Sequence, residues 1–454
     1  MSRLLPSLAL LATSLVAGAR PNIVVVLMDD MGWRDTGFAG NRFIETPHLD
    51  RFAQEGVRFS QCYASAPNCA PSRACLLTGQ YTPRHGVYTV LDERYAPGQP
   101  HMRVMSTRGS DELPTRTTNL AEALKAQGYS TALVGMWNLG RGRAGASGSP
   151  TGQGFNLYRR PEDLGFAKDA YKDAKGRYLS DALTDEAIAW VGKQKGKPFF
   201  LYLADHSVHE PLDPKPELLE KYRRKAAQSG PAAQDPAYAA SVEAVDANFG
   251  RLMGALGSLG LDRDTLVIFT SDNGGMPGLV APLRGSKGLL YEGGIRVPGA
   301  ARWPGVIPAG KVLESPVLGM DFFPTALEAA GVALPKDQPM DGVSLLPALR
   351  SGSPLSARPL FWHFPCYIGK GEPMSLMRDG DFKLIHKFAG PTYELYNLRE
   401  DPSEGRNLAA SEPRRLEEMK AKLTAWQRAT GAFLADQPNP AYDPKASPPK
   451  ARRK

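Results

Sequence analysis

Cys69 heads the stretch Cys69-Ala70-Pro71-Ser72-Arg73-Ala74-Cys75-Leu76-Leu77-Thr78-Gly79, in which a sulfur nucleophile stands just before a proline and one helical turn before an arginine. Pro is favoured in the first turn of a helix, where its missing N–H is not needed. Residues 74–77 continue a helix, and Gly79 is a natural stop. The pattern predicts a helix with Cys69 at its N-terminus, where free N–H groups and the helix dipole favour an anion or a thiolate. Arg73 can reach back from the next turn with a fixed positive charge. On these residues alone, a small buried thiol beside a capped helix has comparable weight.

Two pairs, Asp29-Asp30 and Asp272-Asn273, each close a strand-like apolar run. They offer only oxygen donors, the type that hard cations prefer, and lack the His and Cys that would point to zinc. Calcium fits such a set ahead of magnesium. Acids at strand ends otherwise make solvated turns or helix caps, but two such pairs at corresponding ends of two core strands favour a metal.

The elements that must position these groups are also legible. The runs 22–28, 131–135, 199–203 and 265–270 are continuous and rich in β-branched and aromatic residues, as in strands buried on both faces of a parallel sheet. Helix-like stretches at 47–55, 118–127, 181–194 and 239–259 alternate with them, which predicts an α/β fold with a largely parallel sheet. Ligands in such sheets bind beyond the carboxyl ends of the strands. Asp29-Asp30, Met136-Trp137-Asn138, the segment 205–209 and Asp272-Asn273 all stand there. Beyond residue 350 the runs shorten to 360–364, 375–377, 382–386 and 393–397, with Asp379-Gly380 as a hairpin signal, and a helix is expected over 413–428. This predicts a smaller α+β unit with an antiparallel sheet.

At 454 residues, with 42% hydrophobic and 22% charged residues, the chain is globular rather than disordered. Arg3, the apolar run 4–16 and Ala17-Gly18-Ala19 form a signal-peptide pattern, and the run is shorter than the roughly 20 residues of a spanning helix. The expected division is a signal peptide at 1–19, a catalytic domain at 20–349, a C-terminal subdomain at 350–434 and a disordered basic tail at 435–454. The mature protein is then secreted or periplasmic, with no stable membrane span. Four cysteines are too few for a disulfide scaffold, although one bridge is open. The net charge of +8 favours anionic partners without choosing among them. Part of it lies in Lys445, Lys450, Arg452, Arg453 and Lys454, read as a solvated end.

Cys69-Ala70-Pro71-Ser72-Arg73 followed by Leu77-Thr78-Gly79 resembles the signature of the type I sulfatase family, whose cysteine is oxidised to formylglycine. The likeness continues in order through 21–32, 46–60, 199–211, 265–275, 283–298 and 394–408. It implies an alkaline-phosphatase-like core with a smaller C-terminal domain. It also implies hydrolysis of a sulfate ester by a formylglycine made from Cys69, with the modified residue, Asp29, Asp30, Asp272 and Asn273 around a divalent cation. Lys287 matches the family's sulfate-binding lysine and His209 the histidine beside the leaving group, with Arg73 completing the catalytic set. The implied partners are a sulfated substrate, a carbohydrate by class, and a formylglycine-generating maturation enzyme, with no nucleic acid. His85 and His48 are read as structural.

One motif departs from the family. Where members carry Gly-Lys-Trp-His-Leu-Gly, this chain has Gly135-Met136-Trp137-Asn138-Leu139-Gly140. Asn138 can still donate a hydrogen bond to substrate but cannot act as a general base, and the lost lysine removes charge from an anion site. Three readings follow: a sulfatase in which other groups compensate, with His206 and Arg141 as candidates; a phosphodiesterase or phosphonate hydrolase on the same scaffold; or a non-catalytic binder of sulfated glycans. The retained Cys69, Arg73, Asp29, Asp30, His209 and Lys287 favour the first.

Overall fold

The computed structural model describes residues 20–448 except 91, 141–144, 231–233, 277–278 and 370. The expected signal peptide, Arg141 and the last residues of the tail lie outside the described residues. In chain order the strands are β1 (Asn22–Met28), β2 (Val57–Phe59), β3 (Cys62–Tyr63), β4 (Ser130–Gly135), β5 (Leu157–Arg159), β6 (Phe199–Asp205) and β7 (Thr265–Ser271). They continue with β8 (Gly299–Arg302), β9 (Lys311–Leu313), β10 (Val317–Leu318), β11 (Leu360–Phe364), β12 (Met374–Asp379), β13 (Phe382–Lys387) and β14 (Thr392–Asn397).

Eight strands form one sheet in the order β5-β4-β6-β1-β7-β8-β2-β9, parallel except for β8, which runs against both of its neighbours. The four apolar runs read from the sequence are its centre. Alternate residues of β1 explain why that run has no polar face. Ile23, Val25 and Leu27 pack into a core with Leu76, Leu77 and Phe322, while Val24, Val26 and Met28 pack into another with Leu183, Val245 and Phe249. The register aligns Met28 with Asp205 on one side and with Ser271 on the other, and Gly135 with Ala204. The residues that follow each strand therefore emerge along one edge.

The remaining strands β11 to β14 form a four-stranded antiparallel sheet. Gly380, at φ +58, makes the tight β12–β13 turn that the Asp379-Gly380 pair predicts. The helix Pro413–Thr430 covers this sheet, with Trp426 stacked on Phe361 at 4.8 Å. A helix at Pro216–Ser229 was not expected; its charged sequence buries only Tyr222 fully, with Leu218, Leu219 and Ala226 partly buried against the same core. The four cysteines are all buried and none is bridged.

The expectation of a disordered tail from residue 435 does not hold for its described part. Ala435 and Asn439 are buried, Pro438 bridges Val104, and Asp443 N donates to Pro100 O at 2.8 Å. The residues between the prolines keep their N–H and C=O groups, and composition alone did not show that the 99–105 loop would pair with them.

Candidate active site

Asp29 leaves β1 with its N–H on Asp205 O at 3.0 Å, and Asp272 leaves β7 with its N–H on Met28 O at 3.0 Å. Asp30 adopts φ +69, a left-handed turn that a non-glycine residue rarely takes. The turn sets two successive carboxylates into one buried pocket. Asn273 Nδ2 donates to Asp30 Oδ1 at 2.6 Å, which assigns its amide orientation. Asp29 Oδ1, Asp30 Oδ2 and Asn273 Oδ1 are buried acceptors to which no described residue donates a hydrogen bond. Buried acceptors normally find donors; three orphaned on neighbouring residues, all oxygen, fit a hard cation.

Cys69 begins the helix Cys69–Thr78, which ends at Gly79 with φ +69. Its Sγ lies within 4.8 Å of carboxylate oxygens of both Asp29 and Asp272. The thiolate expected from the helix N-terminus is not favoured in the cysteine form. Burial pushes the thiol up to about 12, the neighbouring acids add to that, and Lys287 and Arg73 offset only part.

Arg73 does not face outward towards a ligand. Its side chain is fully buried, and its guanidinium donates to Asp272 Oδ2 from Nε at 2.9 Å, to Asp29 Oδ2 from Nη2 at 3.0 Å and to Met136 O from Nη1 at 2.6 Å. It is a strut that ties the ends of β1, β4 and β7 together. Although burial opposes ionisation, Arg73 and Lys287 hold Asp29 down at about 2, whereas burial and the charge of Asp29 push Asp272 up to about 7.

Lys287 enters from the loop after β7, fixed by its own N–H on Gly275 O at 3.0 Å. Its ammonium lies 2.6 Å from Asp30 Oδ1 and 3.9 Å from Asp29 Oδ1. Burial opposes that charge, but Cys69, Asp30 and Asp29 keep the lysine above its ordinary range. His209 Nε2 stands 3.5 Å from Asp30 Oδ2 with its ring 38% exposed, at the mouth of the pocket. His206 follows β6, buried beside Tyr171 with Nδ1 unpartnered, and desolvation lowers its affinity for a proton. Met136 N donates to Ala204 O at 3.0 Å, and Asn138 takes φ +58, so both departing residues lie at the same sheet edge.

The structure thus brings Cys69, Asp29, Asp30, Asp272, Asn273, Lys287 and His209 together, with Arg73 beneath them. Sequence reasoning missed Asp35 and Tyr238. Tyr238 OH donates to Asp35 Oδ2 at 2.5 Å and approaches Asp30 O at 3.3 Å, bracing the acidic turn from the helix Pro236–Ser258. Nothing in residue spacing signals this, because the helix arrives from two hundred residues away. His85 is buried against Cys75 Sγ at 3.4 Å, in a structural contact.

The Sulfatase family model matches residues 21–332, and a second model, N-sulphoglucosamine sulphohydrolase, C-terminal, matches 286–429. The chain is 32% identical to a "Sulfatase" of Formosa agariphila over 93% of this chain and 91% of that one. It is 32% identical to human Arylsulfatase A over 88% and 85% of the two chains. Among solved structures it resembles Ps i-CgsB in complex with k-i-k-neocarrahexaose, with a TM-score of 0.76, 29% identity, and coverage of 92% of this chain and 95% of that one.

Proposed function

From the premise that this chain belongs to the sulfatase family and hydrolyses sulfate esters, we propose that it does so through a formylglycine made from Cys69 beside a divalent cation, with a sulfated carbohydrate as substrate. The observation that carries this reading is the set of three orphaned buried oxygens on Asp29, Asp30 and Asn273, with Cys69 Sγ within 4.8 Å of carboxylate oxygens of Asp29 and Asp272. Those residues, Asp272 and the modified Cys69 would hold the cation, and the all-oxygen acidic set favours calcium over magnesium.

When present, the cation and the hydrated aldehyde supply an acidified hydroxyl nucleophile at position 69 and a second hydroxyl that lets the residue be regenerated. The chain's own residues do the rest. Asp272 orients the hydroxyl at residue 69 or accepts its proton. Lys287, with its ammonium held charged, binds the sulfuryl oxygens as negative charge builds on them. His209 at the mouth stands where it can protonate the departing alcohol oxygen. Arg73 keeps Asp29 and Asp272 in register. Asn138 offers a neutral donor to the sulfate group.

The carbohydrate reading draws support from the oligosaccharide bound to the related solved protein. Export rests on the N-terminal pattern; among the described residues no helix is long and apolar enough to cross a membrane.

The test is mass spectrometry of the peptide containing residue 69 after expression with a formylglycine-generating enzyme, together with sulfate-ester and phosphodiester assays. Loss of the thiol with conversion to the aldehyde, and release of sulfate, is expected. An intact thiol under those conditions overturns the nucleophile assignment. Conversion with phosphodiester but no sulfate-ester hydrolysis selects the second reading of the Met136 and Asn138 departure.

A further inference from the structure

The C-terminal strap grips a loop that the reaction centre does not use. Met105 N donates to Gln437 O at 2.8 Å, Asn439 N donates to Arg103 O at 3.0 Å, and Asn439 Nδ2 donates to Gln99 O at 2.9 Å and to Met102 O at 2.8 Å. Beneath these bonds Met102, Val104, Tyr367, Phe388 and Ala435 form a separate apolar cluster. A loop clamped through its backbone and anchored by a small core of its own has a fixed shape.

That shape puts Arg103 at the surface. Its guanidinium lies 6.0 Å from the ring centroid of Tyr442 on the strap, and Nη1 stands 3.3 Å from where a side chain on Gly390 would begin. Arg94 and Arg108 on the same loop are taken up by Asp92 and Glu93, whereas among the described residues no carboxylate pairs with Arg103. It is an exposed cation held in place by an aromatic face and left without a counter-ion.

The loop also borders the reaction centre. Val104 N donates to Tyr367 OH at 3.2 Å, and the next residue, Ile368, lies against Gly288, the neighbour of Lys287. At the far end Leu113 N donates to Leu139 O at 3.4 Å, beside Asn138. Val104 and Leu113 are thereby tied to the segments that flank Lys287 and Asn138.

We propose that Arg103, presented by the strap, is a second anion subsite, binding a sulfate or carboxylate on a sugar unit beyond the one that is hydrolysed. This rests on the sulfated-carbohydrate reading above. The planar guanidinium pairs with two oxygens of either anion at once, and a loop already fixed loses little freedom on binding. The ligand class is an oligosaccharide with at least two anionic groups.

The experiment is calorimetric titration of the full chain carrying Cys69→Ala, which cannot turn over, with three tetrasaccharides: one with a single sulfate, one with two, and one with a sulfate and a carboxylate. The chain should bind the doubly charged ligands about tenfold more tightly than the single one, a contact of ordinary charged strength. Arg103→Ala should remove most of that preference, and Asn439→Ala, which loosens the clamp, should remove part of it. A loss confined to one doubly charged ligand identifies which anion the subsite takes. No preference in the parent, or a preference that survives Arg103→Ala, overturns the proposal. Hydrolysis of a small aryl sulfate by the matured chain reports separately on the sulfatase reading, because such a substrate carries no second anionic group.

Discussion

Lys287 Nζ lies 2.6 Å from Asp30 Oδ1, a charged hydrogen bond that joins the loop after β7 to the turn after β1. Unlike the guanidinium of Arg73, which is wholly buried between Asp29 and Asp272, the Lys287 side chain keeps part of its surface exposed in the pocket. Lys287→Ala should lower kcat/KM for sulfate release by about a hundredfold or more, the usual effect of losing one donor at a developing anion. Steady-state sulfate release by the matured enzyme measures it; a change of less than threefold would put the sulfate elsewhere.

Met136 and Asn138 sit at the sheet edge in place of a lysine and a histidine. Asn138 holds φ +58, a conformation that histidine also tolerates. The double substitution Met136→Lys and Asn138→His should therefore fold, and should raise sulfate turnover at least about tenfold by restoring a charge and a proton carrier. A fall in turnover would mean that the site is tuned around the present pair.

Arg73 neutralises two buried carboxylates while its own side chain has no exposure. Arg73→Met leaves Asp29 and Asp272 facing each other without it, and the fold should lose about 3–5 kcal/mol, as when one partner of a buried ion pair is removed. Urea unfolding of the two chains in the presence of a chelator checks this. A loss below about 1 kcal/mol would show that the carboxylates simply take up protons.

Asp35 is pushed up to about 7 by burial, which the hydrogen bonds from Tyr238 and the Gly32 N–H only partly offset. An unfolded aspartate titrates near about 4. Between these values the folded chain binds the proton more tightly than the unfolded one, so the contribution of Asp35 is fully favourable below about 4 and is lost as pH rises to about 7. Asp35→Asn, which keeps an acceptor for Tyr238, should remove this slope and gain stability relative to the parent at pH 8 by up to about 4 kcal/mol. Thermal unfolding of both chains from pH 4 to pH 8 supplies the comparison; parallel curves would contradict it.

The centre of the sheet was legible because β1, β4, β6 and β7 are buried on both faces, so their sequences carry an unbroken apolar run. The β12–β13 turn was legible because Asp379-Gly380 marks a backbone shape that few other pairs adopt. What escaped was set by tertiary packing. β8, at Gly299-Ala300-Ala301-Arg302, has small residues and no strand signature, and the helix Pro216–Ser229 has too much charge to show its stripe. At the site, residue types pointed to the oxygens that converge, but the direction of Arg73 depended on whether its helix would be buried whole, which ten residues of sequence do not reveal. The strap was misread because its bonds are made by backbone groups and the one Asn439 side chain, which composition does not report.

All ten residues of the helix Cys69–Thr78 are buried, and Cys69 retains 5% of its surface. If residue 69 is matured as proposed, a second protein acting on this sulfur meets a side chain that the closed sheet and helix cover. Conversion would then compete with folding while the segment is still open. A preparation of the protein would contain a matured and an unmatured population, and their ratio would record how long that segment stayed open.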